Sequence, residues 1–506
     1  MHTRLTCHDA GGSGLIRPDR PCRMTVVRPQ GRLRRKGCLL LPIALITAVN
    51  GAFAAETESG PDPFHTDQAL HRGTTGLSDP LGYDCATPAR SLTFVAAVEL
   101  ALCANPQTRT AWAQAHEQAA ALGRAESAWL PQLDATGSVE RQYGRHADIN
   151  GEIVSDTQTN TDAAINLTWT LYDFGNRAGR IESARRLLDA AAATASSVVQ
   201  QTVGLVVQTY YGVVAGDASL VAAKSTVEIA AHSLEIAQAL QTGGAGTLGD
   251  VLQAQTAHEQ AILAQVQAEA VARSAHGSLS VTLGRAADQG FLLAPDPVPT
   301  EVPTLTARMA DLMKEAERQR PDLAAARFQR DAAEADIGVA RSAGRPSIQV
   351  GVIHHYTSTT GVPSENYDQI GVSVNWPLFT GFNVTYGVRQ AQAALHVSEA
   401  NLQQVQLTVT LDVWNGYYNL ASANEQLTAT ADLLKTAQEN EQVAIGRYKA
   451  GVGSIVDVLT AQTALANARQ TRINAELGWS VSRAQLALAL GRLSSAAPLA
   501  TGAPLP

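Results

Sequence analysis

The sequence has 506 residues, a length that would allow about three domains. Only 17% of the residues are charged and 5% are aromatic, and the 46 acidic side chains outnumber the 38 basic ones. Because an acidic chain repels the phosphate backbone of nucleic acids, we expect no nucleic-acid partner.

The amino-terminal region has the three parts of a secretory signal peptide. Arg28–Lys36 is basic, Cys38–Val49 is apolar, and Ala52–Ala54 offers small residues at the spacing of a cleavage site. The apolar part is too short to span a membrane. We therefore predict a cleaved signal peptide at residues 1–54, with either Met1 or Met24 as the start of translation. The remaining chain has 29 basic and 44 acidic residues, a net charge of −15.

Two cysteines, Cys85 and Cys103, follow the predicted cleavage site. Outside the cytoplasm they could form a disulfide, and two separate thiols are the alternative. Cys38 lies at the start of the apolar part of the signal, well before the predicted cleavage site, so it cannot become a lipid-modified amino terminus. After the signal peptide the sequence has no continuous stretch of about 18 apolar residues, so we predict no transmembrane helix. A membrane protein without such a helix has to span the bilayer as a closed β-barrel.

The chain repeats itself with an offset of 207 residues. Thr242–His258 reads TGGAGTLGDVLQAQTAH, and Lys449–Leu465 reads KAGVGSIVDVLTAQTAL. The same offset relates Tyr210-Tyr211 to Tyr417-Tyr418, Trp169 to Trp376, and Leu283–Arg285 to Leu490–Arg492. A repeat of about two hundred residues is far longer than the period of a solenoid, about 20–50 residues. We therefore predict a signal peptide (1–54), an amino-terminal linker (55–90), a first repeat (91–285), a proline-rich linker (286–306), a second repeat (307–492) and a tail (493–506).

In chain order, the first repeat predicts helices over about Leu92–Trp129, Phe174–Gln241 and Leu248–Leu283. The second repeat predicts helices over Ala307–Ser342 and Ile455–Leu490 on either side of another long helix. Apolar residues recur every seven positions in both long helices: Val199, Val206, Val213, Leu220, Val227 and Leu234, then Val413, Leu420, Leu427 and Leu434. This period is typical of left-handed supercoiled helices, and the first long helix would measure about 100 Å. A coiled-coil bundle alone would explain the helices but not the segments between them.

Segments of alternating apolar and polar residues lie between the helices. They are centred on Leu133–Val139, Ile165–Leu171, Ile348–Val352 and Ile370–Trp376. Each predicted strand has about ten residues and one apolar face, which suits a transmembrane β-strand, with Trp169 and Trp376 in an interfacial aromatic girdle. The polar segments 144–160 and 357–368 would be extracellular loops, and Pro131 and Pro346 mark the change from helix to strand. A small soluble hairpin with one buried face is the alternative.

Four strands cannot close around a channel, so several copies would have to share one barrel. At this point the sequence resembles the TolC-like outer membrane factor family over nearly all of the chain after the signal peptide. The resemblance rests on Pro131 and Pro346, on the strand-to-helix turns Leu171–Gly175 and Pro377–Gly381, and on the turn before Asp-Val-Leu in each repeat. It implies a mainly α fold with a membrane β-barrel. A homotrimer would form a twelve-stranded barrel in the outer membrane of a Gram-negative bacterium, continued by a long α-helical tunnel into the periplasm.

The resemblance also implies partners and function. The partners are a periplasmic adaptor, an inner-membrane ABC transporter or proton-driven pump, outer membrane lipid, and an exported protein or small-molecule cargo. The second repeat is similar to members that export cyclolysin- or haemolysin-like toxins by type I secretion, and the alternative is a multidrug efflux channel. No catalytic residue, cofactor or metal is predicted, because His116-Glu117 and His258-Glu259 lack the second histidine of a zinc motif. A periplasmic coiled-coil scaffold is a further alternative.

The resemblance places the glycine-rich turns at the periplasmic end of the tunnel, where adaptor and pump would dock. The candidate docking residues are Gly243, Gly246, Thr247, Asp250, Lys449, Gly451, Val452, Gly453 and Ser454. Asp457 matches the first of two aspartates that ring the closed entrance, Thr460 occupies the second position, and Tyr448 matches a latching tyrosine. Gly453 stands where the family has a latching arginine. Thr247–Asp250 and Ser454–Asp457 also fit helix capping boxes, a local role for both aspartates.

Overall fold

The computed structural model describes residues 62–73, 85, 91–147, 151–294 and 308–493. The predicted signal peptide at residues 1–54 lies outside the described residues. Before the second repeat the chain contains α1 (Thr66–Gly73), β1 (Ser91–Leu92), α2 (Phe94–Ala104), α3 (Pro106–Glu126), β2 (Gln132–Ala147), β3 (Ile153–Tyr172), α4 (Asn176–Thr242), α5 (Leu248–Thr282) and β4 (Leu292–Leu293). The second repeat contains α6 (Met309–Gln319), α7 (Pro321–Ser342), β5 (Ser347–Thr359), β6 (Glu365–Asn375), α8 (Asn383–Lys449) and α9 (Ile455–Ala489).

The two long helices, α4 and α8, have 67 residues each, which corresponds to about 100 Å. Val206 and Val213 of the predicted heptad stripe are buried in α4, and Val413 and Leu420 are buried in α8. Helix α4 packs against α5, α8 packs against α9, and α4 also packs against α9. The long-helix prediction is therefore confirmed. Part of α4 is long and apolar enough to cross a membrane, but 61% of that window is buried within the protein, as in an ordinary core helix.

The shorter helices differ from the prediction. Leu92–Trp129 is not one helix, because the chain turns at Asn105 between α2 and α3, and Ala307–Ser342 is likewise divided at Arg320 between α6 and α7. Each of these residues precedes a proline and is extended, with ψ of 128° and 122°, since the proline ring disfavours the helical region there. The proline then serves as the first residue of the next helix.

The repeated Leu-Gly-Arg sequences end the short helices of the paired hairpins. Gly284 follows α5 with a φ of +73°, and a β-carbon there would lie 2.4 Å from the carbonyl oxygen of Ala104. Gly491 follows α9 with a φ of +77°, and its β-carbon would lie 2.8 Å from the carbonyl oxygen of Gln319. Both positions therefore require glycine, for backbone conformation and for close approach to the end of α2 or α6.

The membrane strands form one antiparallel sheet in the order β2-β3-β5-β6. The strands have 16, 20, 13 and 11 residues, so both strands of the first hairpin are longer than the predicted ten residues. Residues 144–147 and 153–160, predicted as loop, continue the strands and pair with each other or with their neighbours. Alternation of small and polar residues is compatible with strand as well as loop, so polarity alone did not separate the two.

The apolar face of this sheet is exposed. Leu133 is 67% exposed and Ile370 is 78% exposed on the outer strands, whereas Leu167 and Val350 of the same face, on the inner strands, are half-buried. Within the described residues, β2 and β6 are the outer strands of the sheet, and each has one edge without a partner strand. One chain thus leaves an apolar face and two hydrogen-bonding edges uncovered.

The amino-terminal region is attached to the helices. Leu70 of α1 is fully buried and packs with α3 and α4, so the predicted linker 55–90 contains a structured helix. Cys85 and Cys103 form a disulfide with a Cα–Cα distance of 5.6 Å, which decides between the two alternatives. Strand β1 pairs in parallel with β4, which joins the start of the first repeat to the linker that follows it.

Candidate functional site at the turns between paired helices

The first turn joins α4 to α5 through Gly243–Gly246. The N–H groups of Ala245 and Gly246 donate to the carbonyl of Leu240 at 2.9 and 3.0 Å, so the turn satisfies the last carbonyls of α4. Gly244 has a φ of +77°, whereas Gly243 has a φ of −79° and needs no glycine for that reason. At Gly246 a β-carbon would lie 3.0 Å from the backbone nitrogen of Gln241, so close approach restricts this position.

The second turn joins α8 to α9 through Ala450–Gly453 and has the same design. The N–H of Val452 donates to the carbonyl of Arg447 at 3.0 Å, and Gly451 has a φ of +73°. A β-carbon at Gly453 would lie 3.1 Å from the β-carbon of Arg447. The exposed side chains around the two turns include Thr247, Lys449, Val452 and Ser454.

A shared apolar cluster brings the two turns together. Val251 of α5, Tyr448 of α8, and Ile455 and Val458 of α9 are buried in it with Ala237 of α4. Polar contacts tie the same helices together: the amide of Gln462 donates to the Ser233 hydroxyl at 2.6 Å, and Lys449 Nζ lies 3.5 Å from His232 Nε2. The predicted docking residues of both repeats therefore lie at one end of the helix pairs.

Both aspartates of the turns are engaged in helix caps. The Asp250 carboxylate accepts from the N–H of Thr247 at 2.9 Å, and the Thr247 hydroxyl accepts from the N–H of Asp250 at 3.2 Å. Asp457 and Ser454 exchange the equivalent bonds, both at 3.2 Å. Asp457 remains exposed, and so does Thr460 three residues later on the same side of α9. The cap therefore uses Asp457 without removing its charge from solvent.

Tyr448 is only 6% exposed, and its hydroxyl has no hydrogen-bond partner among the described residues. Burial raises the pKa of Tyr448, and the neighbouring charge of Asp250 raises it further. The neutral phenol of Tyr448 is thus buried in the apolar cluster between the two turns. A buried hydroxyl without a partner costs about 1–3 kcal/mol.

Glu441 is a buried group that the sequence reasoning missed. It is 9% exposed on α8, and its pKa is raised by burial although the charge of Arg469 on α9 acts in the opposite direction. Arg469 also donates to the Ser225 hydroxyl at 3.2 Å. The signal was present, because Glu441 continues the seven-residue stripe from Leu434 and is followed seven residues later by Tyr448. A charged residue in an apolar stripe marks a polar layer in the helix bundle.

The helix–strand junctions form a second group of predicted residues, at the other end of the long helices. Pro131 and Pro346 immediately precede β2 and β5, and Gly175 and Gly381, with φ of +92° and +60°, turn the chain from strand into helix. Sequence reasoning missed Arg177, whose guanidinium pairs with Asp173 at 2.8 Å.

Arg177 connects strand β3 to helix α4 at the first helix–strand junction. Its guanidinium donates to the carbonyls of Thr170 and Leu171 at 2.6 and 3.2 Å and lies 4.1 Å from the ring centre of Trp129. The indole N–H of Trp169 donates to the carbonyl of Trp129 at 2.9 Å. Strand and helix are thus fixed to each other by side chains from both.

The geometry defines a class of protein. Four amphipathic strands with an exposed apolar face continue into helices of about 100 Å, and the two outer strand edges have no partner strand among the described residues. In a bilayer every backbone group has to be paired, so such a chain is a subunit of a membrane channel whose wall is shared between copies.

Comparison with known proteins agrees with this class. The family model described as outer membrane efflux protein matches residues 97–285 and 312–492. The chain is 30% identical to Protein CyaE of Bordetella pertussis over 454 residues, 87% of this chain and 92% of that protein. It is 24% identical to the outer membrane protein TolC of Vibrio cholerae over 397 residues, 77% of this chain and 88% of that protein. The crystal structure of CusC has the same fold, with a TM-score of 0.70 at 22% identity over 82% of this chain and 96% of that chain.

The chain therefore belongs to the outer membrane efflux protein family. Members are outer membrane channels that extend into the periplasm, and they are not enzymes. They work as homotrimers in tripartite systems, with a periplasmic adaptor and an inner-membrane ABC or proton-driven transporter. The predicted fold class, location and types of partner are confirmed.

Proposed function

We propose that this chain forms the outer membrane channel of a type I secretion system, which exports a cyclolysin- or haemolysin-like protein toxin with an ABC transporter and a periplasmic adaptor. The observation that carries the proposal is the similarity to CyaE over 87% of this chain, together with the resemblance of the second repeat to toxin-exporting members. A deletion strain should lose one or more secreted proteins from its culture medium. Restoration by the wild-type chain is the control.

Multidrug efflux with a proton-driven pump is the second candidate, because the matching family is described by efflux. The same deletion strain separates the two. Loss of drug tolerance with an unchanged set of secreted proteins would contradict the secretion proposal and support efflux.

The exposed residues of the two turns are proposed to dock the adaptor and the transporter. Lys449 and Val452 project from the second turn, and Thr247 projects from the first. The charge reversal Lys449→Glu, combined with Val452→Asp, should abolish export while trimer yield stays normal. Lys435→Glu, an exposed change about 20 Å along the same helix, is the matched control and should have no effect. Export that persists in the double variant would place docking elsewhere.

Asp457 is proposed to form the constriction of the tunnel entrance. Three copies on a threefold axis would bring three carboxylates together, which attracts cations and favours a multivalent cation as a plug. Thr460 in the second position would make this ring weaker than a double ring. Tyr448, buried in the apolar cluster that joins the two turns, would hold the closed arrangement of the helices.

The cap and the constriction can be separated, because the first repeat offers an equivalent cap. Asp457→Asn should lower cation selectivity and relieve block by trivalent cations in single-channel recordings of purified trimers in planar bilayers. Asp250→Asn removes the matching cap carboxylate and costs a similar amount, about 1 kcal/mol, but should leave selectivity unchanged. Equal effects of the two variants would reduce Asp457 to a cap.

A further inference from the structure

The first membrane hairpin has unlike charges on its two faces. On β2, the residues that alternate with the apolar face include Asp134 and Glu140, and β3 adds Asp162 to the same side. On this side lies a cavity of about 730 Å³ whose lining includes Gln132 and Thr168. The acidic face is therefore the face that borders this cavity, and we call it the inner face; the apolar face points away from the cavity and is called the outward face.

The outward face changes character along β2. Leu133, Ala135, Gly137 and Val139 are apolar or small, and the next outward residues are Arg141, Tyr143 and Arg145. Their register partners on β3 carry hydroxyls, with Arg141 opposite Thr159 and Tyr143 opposite Thr157. Both arginines are exposed, and neither has an ion-pair partner within the described part of the chain. The Arg141 guanidinium lies 5.4 Å from the ring centre of Tyr143.

The height of these side chains matches a membrane surface. A strand rises about 3.4 Å per residue, and strands of membrane barrels tilt by about 40°. Arg141, eight residues beyond Leu133, therefore stands about 20 Å above it, and Arg145 stands about 30 Å above it. Because the apolar band of such barrels is about 25 Å tall, the two arginines and the tyrosine flank its outer boundary.

We propose that Arg141, Tyr143 and Arg145 bind a phosphorylated glycolipid of the outer leaflet, lipopolysaccharide. Arginine guanidinium groups form paired hydrogen bonds with phosphate oxygens, and an amphipathic ring suits the boundary between acyl chains and headgroups. The second hairpin contains no Arg or Lys in β5 or β6, so the site is confined to the first hairpin. A homotrimer would hold three such sites on its outer wall.

The proposal is tested with purified wild-type trimer in detergent. Binding of lipopolysaccharide, measured by native mass spectrometry, should fall at least tenfold in the double variant Arg141→Gln/Arg145→Gln. Two controls should bind normally: Arg109→Gln, which removes an exposed arginine from α3, and Glu140→Gln, which alters the inner face beside Arg141. Undiminished binding by the double variant overturns the proposal.

Two further measurements identify the chemistry and do not depend on the variant folding. Phosphatase-treated lipopolysaccharide should bind the wild type at least tenfold more weakly, and 0.5 M salt should weaken binding of the untreated lipid, because salt screens exposed charges. Inorganic phosphate at millimolar concentration should not displace the lipid. Equal binding of the dephosphorylated lipid, or full displacement by inorganic phosphate, would contradict a glycolipid site.

Discussion

Replacement of Arg177 by methionine tests how the membrane sheet is joined to the tunnel. Methionine keeps most of the apolar length of the side chain but removes the charge and all donors. Arg177 and Asp173 are 7% and 13% exposed, so the ion pair between them is largely shielded from water. The variant also loses the hydrogen bonds to the carbonyls of Thr170 and Leu171 and the stacking on Trp129.

The expected loss is about 3 kcal/mol of unfolding free energy. Breaking one side of a buried ion pair costs about 3–5 kcal/mol. The lower value applies because the Asp173 carboxylate keeps the backbone N–H of residue 177 at 2.9 Å and that of Gly175 at 3.3 Å. Arg180→Met, an exposed change three residues later, should cost less than about 0.5 kcal/mol and serves as the control.

The loss should also depend on pH. Burial alone would raise the pKa of Asp173, but hydrogen bonds from the Arg177 backbone and side chain, with its charge, hold that pKa below the ordinary value of 3.8. A carboxyl with a lowered pKa stabilises the folded state above its unfolded pKa and loses this contribution as the pH falls through the folded pKa. The wild type should therefore have a higher free energy of unfolding than Arg177→Met at neutral pH, and this difference should shrink below about pH 4. Urea unfolding of detergent-solubilised trimers followed by tryptophan fluorescence measures both effects, and equal stability of the two proteins at pH 7 would refute the reasoning.

Two other changes give expectations of opposite kinds. Gly284→Ala should destabilise the protein by at least about 2 kcal/mol, because the residue has a positive φ and no room for a β-carbon. Gly338→Ala lies on an exposed helix surface with no neighbour within 4 Å and should stabilise the protein by about 0.5–1 kcal/mol. Thermal unfolding of the two variants checks the contrast, and an undiminished melting temperature of Gly284→Ala would contradict it. Glu441→Gln should stabilise the trimer at neutral pH but not below pH 4.5, because an acid whose pKa is raised by burial destabilises the fold as the pH rises and the acid ionises. A pH series of melting temperatures measures this, and Glu439→Gln, an exposed neighbour, should show no such pH dependence.

Much of the architecture was predictable because periodicity encodes it. The seven-residue stripe predicted α4 and α8, and alternation predicted four strands with one apolar face. The breaks at Asn105 and Arg320 were missed although each precedes a proline, because the flanking segments keep helical periodicity on both sides. The extra length of β2 and β3 was missed because it consists mostly of small and polar residues.

The candidate site was less accessible to sequence reasoning. Capping boxes were visible in the spacing of Thr247 and Ser454 from their aspartates, since they depend on local sequence alone. The packing of the two turns against each other depends on contacts between residues about two hundred positions apart, such as Gln462 with Ser233. The repeat itself implied that the turns were equivalent, but not that Tyr448 is buried between them.

One chain supplies only part of the channel wall, and further copies complete it. Within the described residues, β2 and β6 leave unpaired edges, and the apolar face of the sheet is exposed. Mass measurement of the folded protein in mild detergent tests this most directly. We expect a complex of three chains that resists dissociation, and a folded monomer that is stable under the same conditions would contradict a shared wall.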